Sequence, residues 1–172
     1  MEKMWSPWRS KYIESFNKKD KDCGCVFCRA AIEDETLDSS LVVHRGKHSF
    51  IMLNLYPYNG GHLMIIPDRH LSDFKQVTQE EYTEMMEELQ LTIKVFENLM
   101  NPQGFNVGMN LGKAAGAGID QHIHLHVVPR WNGDTNFMPV IGEVKVISQD
   151  LLGMKKQLHN EFKIISEMNS KL

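Results

Sequence analysis

No stretch of this 172-residue chain approaches the about 18 consecutive apolar residues that a membrane-spanning helix needs. The first nine residues, Met1 to Arg9, hold no apolar run of the kind found in a secretory leader, so no signal peptide is expected. Positive charge is not in excess. The net charge of -3 removes the general electrostatic case for binding nucleic acid. A small phosphate-bearing ligand stays open, because local donors rather than net charge would hold it. Cysteine is scarce: Cys23, Cys25 and Cys28 are the only three, and they form one cluster. An odd, clustered set argues against a disulfide framework and suits a reducing cytoplasm, the expected location. No internal repeat is evident.

Hydrophobic residues make up 42% of the chain, enough for the core of one domain. The expected division is an N-terminal arm over residues 1–22 and a single domain over 23–172. The arm is polar but carries Trp5 and Trp8, which seldom stay solvated so close together. It is therefore expected to pack on the domain or on a partner subunit. Cys25-Val26-Phe27-Cys28 is a C-x-x-C, which serves as half of a zinc site, as a redox pair, or as nothing. The charged, Gly-containing segment before it disfavours a redox motif, so a zinc half-site is preferred if two more ligands exist.

Leu41–Arg45 and Ser49–Leu53 read as strands around a Gly46-Lys47 turn. A loop from Asn54 to Gly61 feeds a buried strand, 62–67, that ends at Pro67. Thr78-Gln79-Glu80-Glu81 is a capping box. Tyr82, Met85, Met86, Leu89, Ile93, Phe96, Leu99 and Met100 then recur at helical spacing until Pro102. In 104–110, Phe105, Val107 and Met109 are expected to face one way and Asn106, Gly108 and Asn110 the other. A small-residue loop, Gly112 to Gly118, follows. Val140 to Ile147 suggests a short strand, and Leu151 to Met168 a final amphipathic helix. His44, His48 and His159 are expected at the surface, whereas His62 and His70 lie at the ends of a core strand.

The densest chemistry lies in Gln121-His122-Ile123-His124-Leu125-His126-Val127-Val128-Pro129-Arg130. In an extended strand the three histidines would line one face, with Ile123, Leu125 and Val127 on the other. Three imidazoles in a row are costly as mere structure, because every buried ring nitrogen needs a partner. A neutral imidazole with one nitrogen held by a hydrogen bond is a nucleophile or acid/base at neutral pH.

This tract resembles the signature of the histidine triad family, and the similarity runs through Asn54, Gly61-His62 and 104–118 to cover roughly residues 25–131. The N-terminal Trp5-Ser6-Pro7-Trp8-Arg9 and Pro129-Arg130-Trp131 are similar to a bacterial branch near the diadenosine tetraphosphate phosphorylases. The fragile histidine triad hydrolases are more distant. The resemblance implies an α+β fold, with a five-stranded antiparallel sheet, a long central helix and a C-terminal helix, usually a homodimer. The long Met-rich helix and the Trp5/Trp8 arm are then the candidate dimer surfaces. It implies a dinucleoside polyphosphate as substrate, with His124 attacking the α-phosphorus to form a nucleotidyl-histidine that water or inorganic phosphate resolves. His126 would stabilise the phosphate, and Asn54, His62, Asn110, Gly116, Ala117 and Gly118 would bind substrate. In zinc-containing members the C-x-x-C is completed by residues matching His70 and His122, so Cys25, Cys28, His70 and His122 are the expected ligands of a structural zinc. One departure stands out: the fragile histidine triad enzymes carry a Gln and a hydroxyl residue where this chain has Ala117 and Ile119. The alternative is a nucleotide-binding protein with weak phosphoramidase activity that acts through partners. The intact triad argues against that loss of chemistry.

Overall fold

The computed structural model describes residues 24–134 and 150–169. The expected Trp5/Trp8 arm and the strand suggested for 140–147 lie outside the described residues. The elements are helix α1 (Val26–Ile32), strands β1 (Val42–Arg45), β2 (Ser49–Leu53) and β3 (Leu63–Pro67), and helix α2 (Gln79–Met100). Strands β4 (Gly104–Gly108) and β5 (Leu125–Arg130) and helix α3 (Leu151–Asn169) follow. The five strands form one antiparallel sheet in the order β1-β2-β3-β5-β4, the α+β fold that was expected.

Strands β2 and β3 are buried on both faces, so alternate residues feed two apolar layers. Val43, Ile51, Leu53, Leu63, Ile65, Leu125 and Val127 share one core with Met85, Val95 and Phe96 of α2 and with Leu158 and Phe162 of α3. Val42, Phe50, Met52, Met64 and Ile66 face the other way and pack against Phe27 and Ala30 of α1. Among the described residues the helix that covers that second layer is short, at seven residues. Helix α1 follows directly on Cys25 and was not anticipated. Its last carbonyls would be orphaned, and the Arg45 guanidinium of β1 supplies donors to the carbonyls of Ala30, Ala31 and Glu33 at 2.6–2.7 Å.

Helix α2 starts where expected. Thr78 Oγ1 accepts from the Glu81 N–H, while the Glu81 carboxylate accepts from the Thr78 N–H. Asn101 closes the helix in the left-handed region, at φ 45°. Its buried face is rotated from the apolar stripe, running through Glu81, Met85, Glu88, Thr92, Val95 and Phe96, with Tyr82 and Leu99 exposed. Carboxylates account for the rotation. Glu84 Oε1 accepts from the His48 N–H, the Ser49 N–H and the Ser49 hydroxyl at 2.8–2.9 Å, fastening α2 to the β1–β2 turn. Gly46 in that turn lies so close to the Glu84 carboxylate that a Cβ would collide with it. Glu81 takes a two-pronged bond from Arg69, which holds its carboxyl at about 2.

All three surface expectations are corrected, His48 being half-buried like the other two. His44 is half-buried, stacked on Phe162 and 3.3 Å from Glu88, and His159 is half-buried with Nδ1 donating to the Val43 carbonyl. Phe105 in β4 and Met109 just after it pack against the larger core as expected, but Val107 is exposed on this edge strand.

Candidate active site

The histidine tract is not one regular strand. Pairing of β3 with β5 runs from Leu63↔Val127 to Ile65↔Leu125. Farther along, β3 reaches Pro67, which has no N–H to offer a neighbour. The chain at His122 to His124 therefore leaves the ladder. It is held instead by the Ile123 N–H on the Leu71 carbonyl, at 2.8 Å. The Pro67 carbonyl is taken by a side chain: His122 Nε2–H donates to it at 2.8 Å. All three histidines are buried, and each has a different environment.

His122 belongs to a cysteine–histidine knot. With Nε2 carrying the proton, Nδ1 is a free lone pair, 3.4 Å from Cys25 Sγ and 3.7 Å from Cys28 Sγ. His70 Nδ1 lies 3.2 Å from Cys28 Sγ, and the four donor atoms all fall within 4.8 Å of one another. A tetrahedral site with metal–sulfur bonds of about 2.3 Å and metal–nitrogen bonds of about 2.0 Å has sulfur–nitrogen edges of about 3.5 Å. The observed separations suit that geometry, and the Pro67 carbonyl provides the outer hydrogen bond that a ligating histidine wants. Cys25, Cys28, His70 and His122 can hold a metal ion.

His124 has the opposite tautomer. Its Nδ1 lies 2.9 Å from the His122 carbonyl, which can only accept, so Nδ1 bears the proton and Nε2 is the free lone pair. Phe27 packs 5.0 Å from the His124 ring and edge-on to His122. Burial pushes the pKa of His124 down, partly offset by the bond to His122, so the ring is held neutral.

His126 is set by a relay that begins on the main chain. The Tyr58 N–H donates to His62 Nδ1 at 3.0 Å. In a neutral ring, His62 Nε2 must then carry the proton, and it donates to His126 Nδ1 at 2.9 Å. His126 Nε2 is therefore an N–H donor. It is buried without a hydrogen-bond partner among the described residues, which is costly unless a ligand accepts it. Asn54 belongs to the same relay, with Oδ1 accepting from the Tyr56 N–H and Nδ2 3.3 Å from His62 Nδ1.

A cleft of about 980 Å³ lies over this face of the sheet, between α1 and the loops after β2 and β4. His124, His126, Asn54, Asn110 and Gly118 line it. Gly116 and Ala117 are not among its lining residues, and His62 is fully buried behind His126. His62 therefore reaches the cleft only through its bond to His126. Apolar side chains from α1, Leu41, Met52 and Met64 form the cleft's other half. Phe27, Tyr56 and Tyr58 also line the cleft and were not anticipated there. The signals were present: an aromatic between the two cysteines, and a Tyr-Pro-Tyr in an otherwise polar loop.

Two tautomer-fixed histidines on the floor of an apolar cleft, beside a four-residue cysteine–histidine knot that can hold a metal ion, set this α+β protein apart. The HIT domain family matches residues 36–133, and the chain belongs to that family. It is 42% identical over 165 residues to the AP-4-A phosphorylase of Mycobacterium tuberculosis, covering 94% of this chain and 85% of that one. The asymmetrical bis(5'-nucleosyl)-tetraphosphatase of Schizosaccharomyces pombe is 32% identical over 95 residues, 55% of this chain and 52% of that one. Among solved structures, a Zn-bound histidine triad family protein from Mycobacterium smegmatis superposes with a TM-score of 0.66 at 25% identity. That match covers 84% of this chain and 96% of the other.

Burial holds His62 at about 3 and His126 at about 4, with the neighbouring imidazoles adding to the effect. Unfolding returns both toward the ordinary 6.5. Below that value the unfolded chain binds more protons than the folded one, so stability is full above about pH 6.5 and falls toward the folded-state values. In NMR titrations the His62 and His126 ring signals are expected to remain neutral at about pH 5, with a lower urea midpoint there than at about pH 7. Titration of both rings near 6.5 would contradict the relay.

Proposed function

We propose that this chain is a nucleotidyl-transferring enzyme that acts at the α-phosphate of dinucleoside polyphosphates through a covalent nucleotidyl-His124. The observation that carries this reading is the pair of opposite tautomers, a lone pair at His124 Nε2 beside an unpaired N–H at His126 Nε2. In the first step the His124 Nε2 lone pair forms a bond to the α-phosphorus, and the phosphorus–oxygen bond to the remaining polyphosphate breaks. The ring becomes a cation, and its Nδ1–H bond to the His122 carbonyl strengthens as it does. The His126 N–H lies where it can donate to a phosphate oxygen as negative charge develops. In the second step an acceptor oxygen attacks phosphorus, the nitrogen–phosphorus bond breaks and neutral His124 returns. Asn54, Asn110 and Gly118 line the cleft and are assigned to the ribose and phosphates, and Leu41, Met52 and Met64 to one base. The named activity of the Mycobacterium tuberculosis relative favours inorganic phosphate over water as acceptor. His124→Ala is expected to abolish turnover of diadenosine tetraphosphate while sparing its binding, and wild-type protein given phosphate should yield ADP and ATP. AMP and ATP would identify a hydrolase instead, and full turnover by the variant would remove His124 from the role.

The metal in the Cys25, Cys28, His70 and His122 site is inferred to be zinc, given that donor set and the zinc in the Mycobacterium smegmatis relative. When bound it supplies a structural cross-link between α1 and the segments after β3 and before β5. Reduced thiols at this site fit a cytoplasmic protein, and no helix among the described residues is long and apolar enough to cross a membrane. Protein purified without added zinc should contain about one equivalent, and a strong chelator should lower its melting temperature by several degrees. A Cys25→Ser, Cys28→Ser variant with unchanged stability under chelation would oppose a structural site.

A homodimer is inferred as well. The outer edge of β4, unpaired among the described residues, with exposed Val107, and the exposed Tyr82 and Leu99 of α2, offer apolar surface to a second copy. Light scattering should give about twice the 19.8 kDa chain mass; the single-chain mass would reject it.

A further inference from the structure

The donor that His126 presents to the cleft depends on a residue that the β3–β5 ladder does not reach. His126 pairs with Met64, and the last pair in that direction is Leu63↔Val127. His62 stands one residue before β3, beyond that pair, so the loop from Asn54 to Gly61 decides where its ring lies. The ring's Nδ1 takes the Tyr58 N–H at 3.0 Å, and its Nε2 meets His126 Nδ1 at 2.9 Å. A shift of the loop by about 1 Å would carry the first of these beyond the range of a hydrogen bond.

One side chain ties this loop to β5. The Asn59 amide nitrogen donates to the Pro129 carbonyl at 3.0 Å and to Asp134 Oδ2 at 2.8 Å. The Asn59 carbonyl accepts from the His62 N–H at 3.3 Å. Asn59 follows the Tyr58 donor in sequence, so one residue joins that donor both to His62 and to the strand that carries His126. Its acceptor is itself fixed: Arg130 donates to both Asp134 oxygens at 2.6 Å, and the Trp131 N–H adds a bond at 3.1 Å. Gly61, at φ +76°, seats the end of the loop so closely that a Cβ would lie 3.1–3.3 Å from Phe96, Met100 and Pro129. The position demands a primary amide, because a hydroxyl has one hydrogen to give and a carboxylate has none and would face Asp134. Asn59 is not among the residues that line the cleft.

We propose that Asn59 is a positioning residue for nucleotidyl transfer: it clamps the loop to β5, holds the Tyr58 N–H on His62, and so keeps the proton of His126 on Nε2. Its kinetic consequence rests on the proposed reaction; its effect on the two rings does not. Without the clamp, the other donor to His62 Nδ1 is the Asn54 side-chain amide at 3.3 Å. A side-chain amide, unlike a main-chain N–H, can turn and offer its oxygen. His62 is then free to move its proton from Nε2 to Nδ1. His126 Nδ1–H donates to the vacated His62 Nε2, and His126 Nε2 becomes a lone pair facing the phosphate. Each ring keeps one proton throughout, and only its place changes.

Ring-nitrogen NMR shifts separate an N–H nitrogen from a lone-pair nitrogen. In the wild-type protein the Nε2 atoms of His62 and His126 should both read as N–H. In Asn59→Ala both should move toward the average of the two tautomers, and less far in Asn59→Ser, which keeps one donor. For diadenosine tetraphosphate, kcat should fall about tenfold in Asn59→Ala with KM within about twofold, because the donor acts on charge that develops in the reaction. In His62→Ala protein, where the relay is already broken, Asn59→Ala should cause no further loss of kcat. A merely structural clamp would lower the melting temperature while leaving the ring shifts at their wild-type values, and its kinetic loss would add to that of His62→Ala. Either result overturns the proposal. If Asn59→Ala does not fold, the Asn59→Ser shifts decide by the same criterion. If wild-type protein does not turn over diadenosine tetraphosphate, the reaction assignment falls and the ring shifts alone decide.

Discussion

The bond from His122 to the Pro67 carbonyl is the constraint on which the site depends. By occupying the His122 Nε2 proton it turns Nδ1 toward the two cysteines. By satisfying the last carbonyl of β3 it lets the sheet stop there at little cost, since a buried unpaired carbonyl would be expensive. Because β3 stops, His122 to His124 leave the ladder. The main-chain carbonyl of His122 is then available to a side chain instead of a neighbouring strand, and it accepts from His124 Nδ1. A proline at the end of one strand thus leads, through one imidazole, to a cysteine–histidine knot on one side and a lone pair on the other.

The same logic explains why buried histidines are tolerated in such number. An imidazole is costly in an apolar layer only when a nitrogen goes unmatched. His122 and His62 have both nitrogens matched, and both rings are held below their ordinary pKa by burial. The two nitrogens that the described residues leave open, His124 Nε2 and His126 Nε2, are the two that line the cleft. One is an acceptor and the other a donor. Main-chain groups set that difference, since the His122 carbonyl can only accept and the Tyr58 N–H can only donate. Reversal of either tautomer would require a main-chain group to change sign, so the pair is polarised before any ligand arrives. Such fixed polarity lowers the reorganisation needed when charge develops on a phosphate.

Periodicity made most of the sheet, the capping box of α2 and the run of α3 legible, because each is a local rule with a short repeat. It misplaced the buried face of α2. The stripe through Tyr82, Leu89 and Leu99 is apolar, but Glu81, Glu84 and Glu88 each have a partner brought in from elsewhere: Arg69, the β1–β2 turn and His44. No local pattern announces those partners. The histidine tract was legible as chemistry but not as geometry, since its departure from the strand is decided at Pro67, 55 residues away. The role of His62 was half legible. Its place at a strand end put it near the site, whereas its burial behind His126 depends on the loop from Asn54 to Gly61 folding back on it. Helix α1 was hidden because it is seven residues long and held at its C-terminus by Arg45 from another element.

That short helix also shows how one segment joins binding to architecture. Phe27 sits between the two cysteines, fully buried, with one edge against His122 and its ring close to His124, and it lines the cleft. A helix of seven residues is unstable by itself, so α1 needs anchoring at its ends. Arg45 holds its C-terminus and the cysteine–histidine knot surrounds its N-terminus. Anchoring at both ends permits a short helix, and beside it Leu41, Met52 and Met64 line the cleft. A longer helix would be more stable by its own hydrogen bonds and would fill the space where a nucleoside could lie. The open floor of the cleft and the four-residue knot beside it are therefore two consequences of the same economy in covering this face of the sheet.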